Sequence, residues 1–337
     1  MADLKTTYMG IELKNPIIIG SNNLVTDIKN AKALEDAGVS AIVYKSLFEE
    51  QIQLESYEMD MQMEAYNDRN AEVSSLFPDL DHAGPQEYLM KLKKLKQSVG
   101  IPVFGSLNCV NKDTWVDWAK QIEITGVDGL ELNFYHVPTD FSIDEGVIIQ
   151  EQIDIAQAVV KALKIPVGVK LSPFYTNPLN LISRFDKVGV KSVILFNSLF
   201  QPDIDINSQK LVYKYKFSNE EDSRLPLRYA GLLHGNIKAD ICSSRGIYYG
   251  SDIIKMILAG ATNVQTVSAI YKLGFDVIGK MLEELESWMK KNNYNSLDDF
   301  RGKMSKKNIK SPFAYKRGQY IDILMRSDNV MQEHALH

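Results

Sequence analysis

Cysteine is nearly absent. Cys109 and Cys242 are the only two among 337 residues, and neither stands in a CxxC or other metal-ligand spacing. An iron–sulfur cluster held by this chain is excluded, no metal site is expected, and a reducing cytoplasm is the natural setting. Long hydrophobic runs are also missing. Stretches such as Pro16–Gly20 and Ser192–Phe196 fall far short of the roughly 20 apolar residues a membrane helix needs. Nor is there a basic excess: the formal net charge is −5, with acids and bases interspersed. No positive stripe stands ready to neutralise phosphates, so neither a nucleic acid nor an anionic membrane is an expected partner. The N-terminus lacks the basic segment, apolar stretch and small-residue cleavage site of a secretory signal.

What the chain does have is an ordinary globular composition, 45% apolar and 24% charged, and one local pattern used repeatedly. An amphipathic stretch ends at a glycine, and a short β-branched run follows. Asp36-Ala37-Gly38 precedes Ala41–Tyr44, Thr125-Gly126 precedes Gly129–Leu132, Val188-Gly189 precedes Ser192–Leu195, and Ala259-Gly260 precedes Asn263–Thr266. Glycine tolerates the left-handed conformation that ends a helix, and buried parallel strands read as unbroken apolar runs. Two more strands are predicted behind prolines, Pro102–Ser106 and Pro166–Lys170, with Pro16–Ser21 first and Asp240–Ser244 seventh. About eight strands separated by helical patterns predict a parallel sheet closed into a (β/α)8 barrel, the TIM-barrel class.

Phe275, Ile278, Leu282, Leu285 and Trp288 fall three or four apart and mark one face of the last barrel helix. Leu4–Ile11 followed by Glu12–Lys14 reads as an N-terminal hairpin closing the barrel floor. Two long segments break the rhythm, Glu49–Gly84 after strand two and Phe200–Tyr229 after strand six. Loops of that length in a compact domain are usually lids or binding loops. The expected organisation is one barrel domain over residues 1–304 and a C-terminal tail over 305–337, a surface wrap or an interface arm. No low-complexity linker marks a second domain.

In such barrels the active site lies at the C-terminal ends of the strands. Polar residues there are Ser21 and Asn22, Lys45 and Ser46, Ser106 and Asn108, Asn133 through His136, Lys170 and Ser172, Asn197 and Ser198, Ser243 through Gly246, and Ser268. Two lysines and two asparagines aimed into one mouth suit an anionic, hydrogen-bonding small molecule. Any one of them alone reads equally well as a polar residue on a solvated rim. Lys170 is the exception, because a lysine inside Val167–Leu171 must either pair or serve a ligand. His82, His234, His334 and His337 have no claim beyond that of loop-edge polar residues, and Cys109 reads as a packed small hydrophobe.

Taken in order, Asn15-Pro16 with Ser21, Tyr44-Lys45-Ser46, Glu131-Leu132-Asn133, Gly168–Leu171 and Phe196-Asn197-Ser198 resemble the strand-end motifs of the dihydroorotate dehydrogenases, FMN-dependent barrels of pyrimidine biosynthesis. The likeness continues through Gly231, Ile237-Lys238 and Ala259-Gly260-Ala261 to Ser296–Gly302, and is strongest to the soluble class. Each motif is weak alone; their order on successive strands makes the signal specific. The resemblance implies FMN as cofactor, with Lys45 and Lys170 against its isoalloxazine and ribityl regions. Ser21, Ser46, Ser106 and Asn133 would supply polar contacts, and Gly231, Arg245, Gly246 and Ser268 would complete the cofactor set. Lys45, Ser74, Asn133, Asn197 and Ser198 would meet the substrate. A homodimer is implied as well; the electron acceptor is not. A cation near the pyrimidine end of a flavin favours its reduced form, so a buried lysine there tunes the cofactor.

The departures are as informative. Where the soluble enzymes continue from the strand-four asparagine to a catalytic cysteine, a proline and a further asparagine, this chain has Asn133-Phe134-Tyr135-His136-Val137-Pro138. His136 therefore takes the position of the base, with Tyr135 as second candidate; an imidazole is a plausible proton acceptor near neutral pH. A substrate-binding asparagine after strand two is replaced near Val73-Ser74-Ser75, and Val267 replaces a glycine after strand eight. Ser243-Ser244-Arg245-Gly246 has one glycine fewer than the family's phosphate turn. Bulkier residues crowd a backbone nest for phosphate; either Arg245 compensates by pairing with the phosphate, or that end of the site is degraded.

The sequence thus reads as an FMN-dependent oxidoreductase acting on a carbon–carbon bond beside a carbonyl. A base takes a proton from one carbon while its neighbour gives hydride to the flavin. The substrate is dihydroorotate or a related unsaturated acid or pyrimidine. Two other readings stand beside it: a barrel lyase with Lys170 or Lys45 as Schiff-base amine, and a non-catalytic flavin-binding subunit of a redox complex.

Overall fold

A computed structural model describes residues 2–53, 84–109, 111–135, 137–213 and 216–325. His136, Ser74 and most of the segment after the second predicted strand lie outside the described residues. In chain order the strands are β1 (Thr6–Tyr8), β2 (Ile11–Leu13), β3 (Ile17–Ile19), β4 (Ala41–Val43), β5 (Leu47–Phe48), β6 (Val103–Asn108), β7 (Gly129–Asn133), β8 (Val167–Leu171), β9 (Ser192–Leu195), β10 (Asp203–Asp205), β11 (Lys210–Val212), β12 (Asp240–Ser244) and β13 (Asn263–Thr266). The helices are α1 (Ile28–Asp36), α2 (Pro85–Ser98), α3 (Lys112–Ile124), α4 (Glu145–Ala162), α5 (Pro178–Lys187), α6 (Arg224–Leu233), α7 (Gly250–Ala259), α8 (Ser268–Leu273), α9 (Val277–Lys291) and α10 (Gly318–Met325).

Strands β3, β4, β6, β7, β8, β9, β12 and β13 pair in parallel around a closed ring, the expected (β/α)8 barrel. Closure is made where Ile42 and Val43 of β4 face Val103 and Phe104 of β6. On the other side Val264 of β13 faces Ile17 of β3. Every barrel strand is buried along most or all of its length, which is why the sequence showed continuous apolar runs rather than alternation. The glycine stops behave as read: Gly260 has φ 126°, and the His234 side chain packs where a Cβ would stand.

The β1–β2 hairpin is antiparallel and plugs the barrel from below. Tyr8, Met9 and Leu13 join Ile18, Ala41, Val43, Phe104, Ile194 and Cys242 in a core inside the ring. The Tyr8 and Phe104 rings meet edge to face at 4.8 Å. A Cβ on Gly168 would stand 2.4 Å from Met9 Cε, so the missing side chain on β8 is the space the methionine fills. Asp240 holds the hairpin by accepting from Thr7 Oγ1 at 3.1 Å and Gly10 N at 3.3 Å. Because hydrophobic packing fills the lower barrel, the polar side chains of the strands are left to its upper half.

The segment Phe200–Tyr229 holds more order than a plain loop. The loop after β9 contains the β10–β11 hairpin, and α6 begins at Arg224 rather than beyond Tyr229. A short 3-10 turn at Glu220–Ser223 leads into it, with Asn219 and Asp222 capping one another reciprocally. Pro226 sits in the first turn of α6, where a missing N–H is tolerated. The tail docks on α6: Lys306 N donates to Gly231 O at 2.9 Å, and Arg228 Nη2 donates to Gln319 Oε1 at 2.8 Å.

Met9→Ala should empty the barrel floor and destabilise the protein by about 2–5 kcal/mol, the cost of truncating a large buried apolar side chain. Urea unfolding measures this. A loss within the noise of the transition would mean that the hairpin does not seal the barrel.

Candidate active site

The strand register brings the predicted polar residues to one level at the mouth. Asn133 on β7 stands opposite Lys170 on β8, and Ser106 on β6 opposite Glu131. Ser46 Oγ lies 2.7 Å from Ser106 Oγ and 3.2 Å from Ser21 Oγ. Asn133 is fixed on three sides. Its Nδ2 donates to Ser46 Oγ at 3.5 Å, its Oδ1 accepts from Asn197 Nδ2 at 2.6 Å, and its carbonyl accepts from Asn108 Nδ2 at 2.5 Å. These contacts join the ends of five strands into one polar ladder. A cavity of about 140 Å³ opens beside it, lined among others by Ser21, Lys170, Asn197, Gln265 and Ser268. Ser198, Phe200, Lys216 and Arg245 line both this cavity and a second one of about 640 Å³.

Beneath the ladder lies a buried charged cluster. Glu131 is fully buried. Its Oε2 accepts from Gln265 Nε2 at 2.7 Å and from the Tyr8 hydroxyl at 3.2 Å. Its Oε1 makes no hydrogen bond and lies 3.5 Å from Lys170 Nζ. Lys170 Nζ in turn donates to Gln265 Oε1 at 3.0 Å. The lysine that had to pair or serve a ligand does pair, as buried charges must. Burial first, and then the Glu131 charge, push the Tyr8 phenol well above its ordinary range, so it stays a protonated donor. Lys45 is half-buried; desolvation, and secondarily the Lys91 charge, lower its pKa.

At the other end of the cavity the turn after β12 keeps a glycine-like backbone with an arginine in it. Arg245 has φ 84° and Gly246 φ 69°; a non-glycine residue in that region is uncommon. The Arg245 guanidinium lies 3.2 Å from Asp222. Ser218 bridges this turn and the start of α8. Its N and Oγ donate to Ser268 Oγ at 3.1 and 3.0 Å, and Gly246 N donates to Ser218 Oγ at 3.4 Å. Lys272 Nζ at 3.0 Å and the Tyr248 hydroxyl both donate to Ser218 O.

The structure does not bring Gly231 into this group. It sits within α6, and the Tyr315 ring of the tail packs where its Cβ would be. Ser218 stands at the turns instead, and sequence reasoning missed it because nothing distinguishes one serine in a long polar loop. Glu131 and Gln265 were also missed as site residues. The signal was present in both, since a polar side chain inside an apolar strand raises the same question as Lys170. Tyr135 Oη accepts from Phe200 N at 3.0 Å, tying the loop after β7 to the loop after β9. Among the described residues no cluster of His, Cys, Asp and Glu is placed to hold a metal ion.

A closed parallel barrel with lysines, asparagines and serines gathered at the C-terminal strand ends defines an α/β-barrel enzyme. The family model for dihydroorotate dehydrogenase matches residues 79–289, more than half of the chain, which therefore belongs to the dihydroorotate dehydrogenase family. It is 27% identical over 303 residues to the dihydroorotate dehydrogenase B (NAD(+)) catalytic subunit of Methanocaldococcus jannaschii, covering 86% of this chain and 94% of the relative. To the dihydroorotate dehydrogenase A (fumarate) of Lactococcus lactis it is 26% identical, over 89% of this chain and 99% of the relative. To the chloroplastic dihydropyrimidine dehydrogenase (NADP(+)) of Arabidopsis thaliana it is 22% identical, over 98% of this chain and 87% of the relative. The chain is an oxidoreductase of the dihydroorotate dehydrogenase kind.

Removing Lys170 alone should be costly for the fold. Lys170→Met leaves Glu131 buried without its cation, for which about 3–5 kcal/mol is typical. The double variant Lys170→Met with Glu131→Leu should recover most of that loss in the same denaturant titration. Equal losses in the single and double variants would show that the two charges are not coupled.

Proposed function

We propose that this protein is an FMN-dependent dehydrogenase that interconverts a single and a double carbon–carbon bond beside a carbonyl, in a small pyrimidine or unsaturated acid of the dihydroorotate type. The observation that carries this reading is Lys170: a charged amine at the floor of the mouth cavity, held from behind by Glu131 and Gln265. The donor set fits the cofactor. Lys170, Ser21, Ser46, Ser106 and Asn133 would hold its ring and ribityl polar atoms, with Lys45 beside them. The phosphate would lie toward Ser218, Gly246 and Ser268, whose N–H and hydroxyl groups meet between two turns. FMN, when bound, supplies the two-electron acceptor for the substrate.

The chain's own residues do the rest. Asn197 and Asn133 form one hydrogen-bonded carboxamide pair at 2.6 Å, which fixes the direction of the remaining amide donors toward a substrate. Ser198, Lys45 and Ser74 would complete that side. His136 is the proposed proton acceptor: in the segment Tyr135–Ser142 it is the residue with an ordinary pKa near 6.5. Tyr135 is the less suited of the two, since its hydroxyl oxygen already accepts the Phe200 N–H. The resemblance to the family expects amide side chains where Pro138 and the Val73–Ser75 segment stand. Each polar substrate group left without a partner forfeits on the order of 1–3 kcal/mol, so dihydroorotate itself should be turned over slowly.

The purified protein should be yellow, or become so on adding FMN; an absorption spectrum without flavin bands in both cases would sink the reading. His136→Ala should slow reduction of the bound flavin about 100- to 10,000-fold, while leaving FMN content unchanged. If Tyr135→Phe causes the loss and His136→Ala does not, the base is Tyr135. Turnover of dihydroorotate at ordinary enzyme rates of roughly 1–1000 per second would show that other residues replace the missing amides.

A further inference from the structure

We infer that Glu131 is a positioning residue that, together with Gln265, sets how strongly this site favours the reduced over the oxidised cofactor; the inference rests on the FMN reading above. An ammonium group has three N–H donors. One of Lys170's is taken by Gln265 Oε1 at 3.0 Å, and a second faces Glu131 Oε1 at 3.5 Å. The third is left for the cavity that Lys170 and Gln265 both line. Glu131 itself is fully buried and is not among the residues lining that cavity, so it acts through Lys170 and not by contact.

Its effect has a definite sign. Reduction adds negative charge to a bound flavin, and a nearby cation favours that state. A carboxylate 3.5 Å from the ammonium cancels much of the cation's field, because opposite charges at such a separation look nearly neutral from farther away. Glu131 therefore holds the ammonium in place while damping its pull on the electrons. The carboxylate is fixed by Gln265 Nε2 and by the Tyr8 hydroxyl, which rises from the floor hairpin. A side chain that only filled space would have no such effect on the redox balance.

The test is a redox titration of the FMN-loaded parent and variants against a dye of known potential, with FMN affinity measured by fluorescence quenching. Glu131→Gln, close in shape but uncharged, should favour the reduced form at least tenfold, a rise of about 30 mV for a two-electron couple. Glu131→Asp, which restores the charge, should bring the potential back toward the parent. Gln265→Glu adds a second carboxylate on Lys170 and should shift the potential the opposite way, so a sign test remains if Glu131→Gln fails to fold. Unchanged potentials in variants that bind FMN normally overturn the inference and leave the FMN reading standing. A parent that binds no FMN overturns both.

Discussion

A carboxylate in the middle of a packed barrel has no water to solvate it, and this chain puts one there. Glu131 persists only because Lys170, Gln265 and Tyr8 converge on it. Those four residues come from β7, β8, β13 and the loop-side end of β1, elements far apart in the sequence. Their meeting requires the ring to be closed and its register to be correct. It also requires the floor hairpin to be seated, because Tyr8 reaches the carboxylate only when Met9 beside it occupies the space left by Gly168. Apolar packing of the floor and polar chemistry at the mouth are thus coupled through one buried ion pair. Losing either charge leaves the other stranded in low dielectric, which is costlier than losing both.

The opposite end of the cavity follows a different logic. There the backbone conformation is kept while the residue that usually permits it is not. Arg245 adopts φ 84°, a conformation that costs a non-glycine residue about 1–3 kcal/mol unless its surroundings enforce it. The enforcing contacts are visible: Asp222 faces the guanidinium, and Ser223 packs so closely on Gly246 that no side chain fits there. The loop before α6 is therefore part of the turn's architecture. Ser218 is placed by the same loop, through Tyr248 and Lys272 on its carbonyl. Arg245 is engaged by Asp222, so the charge it offers a ligand is reduced by its neighbour.

The frame was legible because its signals are local. Gly38, Gly126, Gly189 and Gly260 all take positive φ after helices, and the apolar runs behind them are strands, since each rule depends only on nearby residues. The Ser46, Ser106 and Asn133 ladder was legible for a related reason: strand ends of a closed barrel share one rim. What stayed hidden depends on how distant segments fold over that rim. Ser218 could not be separated from other serines in its loop without the turn at Asn219–Asp222 that directs it. Gly231 illustrates the converse: a familiar-looking string suggests a place at the cofactor, and the structure puts the residue within α6, where its bare Cα accommodates Tyr315 from the tail. Gln265 lay unnoticed inside a strand, although a buried amide needs partners as surely as a buried lysine does.

The three relatives named above carry different electron acceptors in their names, and one a different substrate, on chains that align with this one over most of their length. A shared barrel with varied chemistry places the differences in the loops. In this chain the loops after β7, β8 and β9 meet over a largely apolar cavity of about 380 Å³, with Val137, Phe174, Tyr175 and Phe200 in its walls. The bond from Phe200 N to Tyr135 Oη clasps two of these loops together. Val137 and Pro138, from the loop after β7, thus share one cavity wall with Phe174 and Phe200. On the proposed reading Pro138 and Phe174, both in the walls of that cavity, would bear on substrate choice, whereas the charged pair lies deeper in the barrel. The residues lining this cavity are not among those that hold the ion pair, so the rim loops can vary while Glu131 and Lys170 stay packed beneath the ladder.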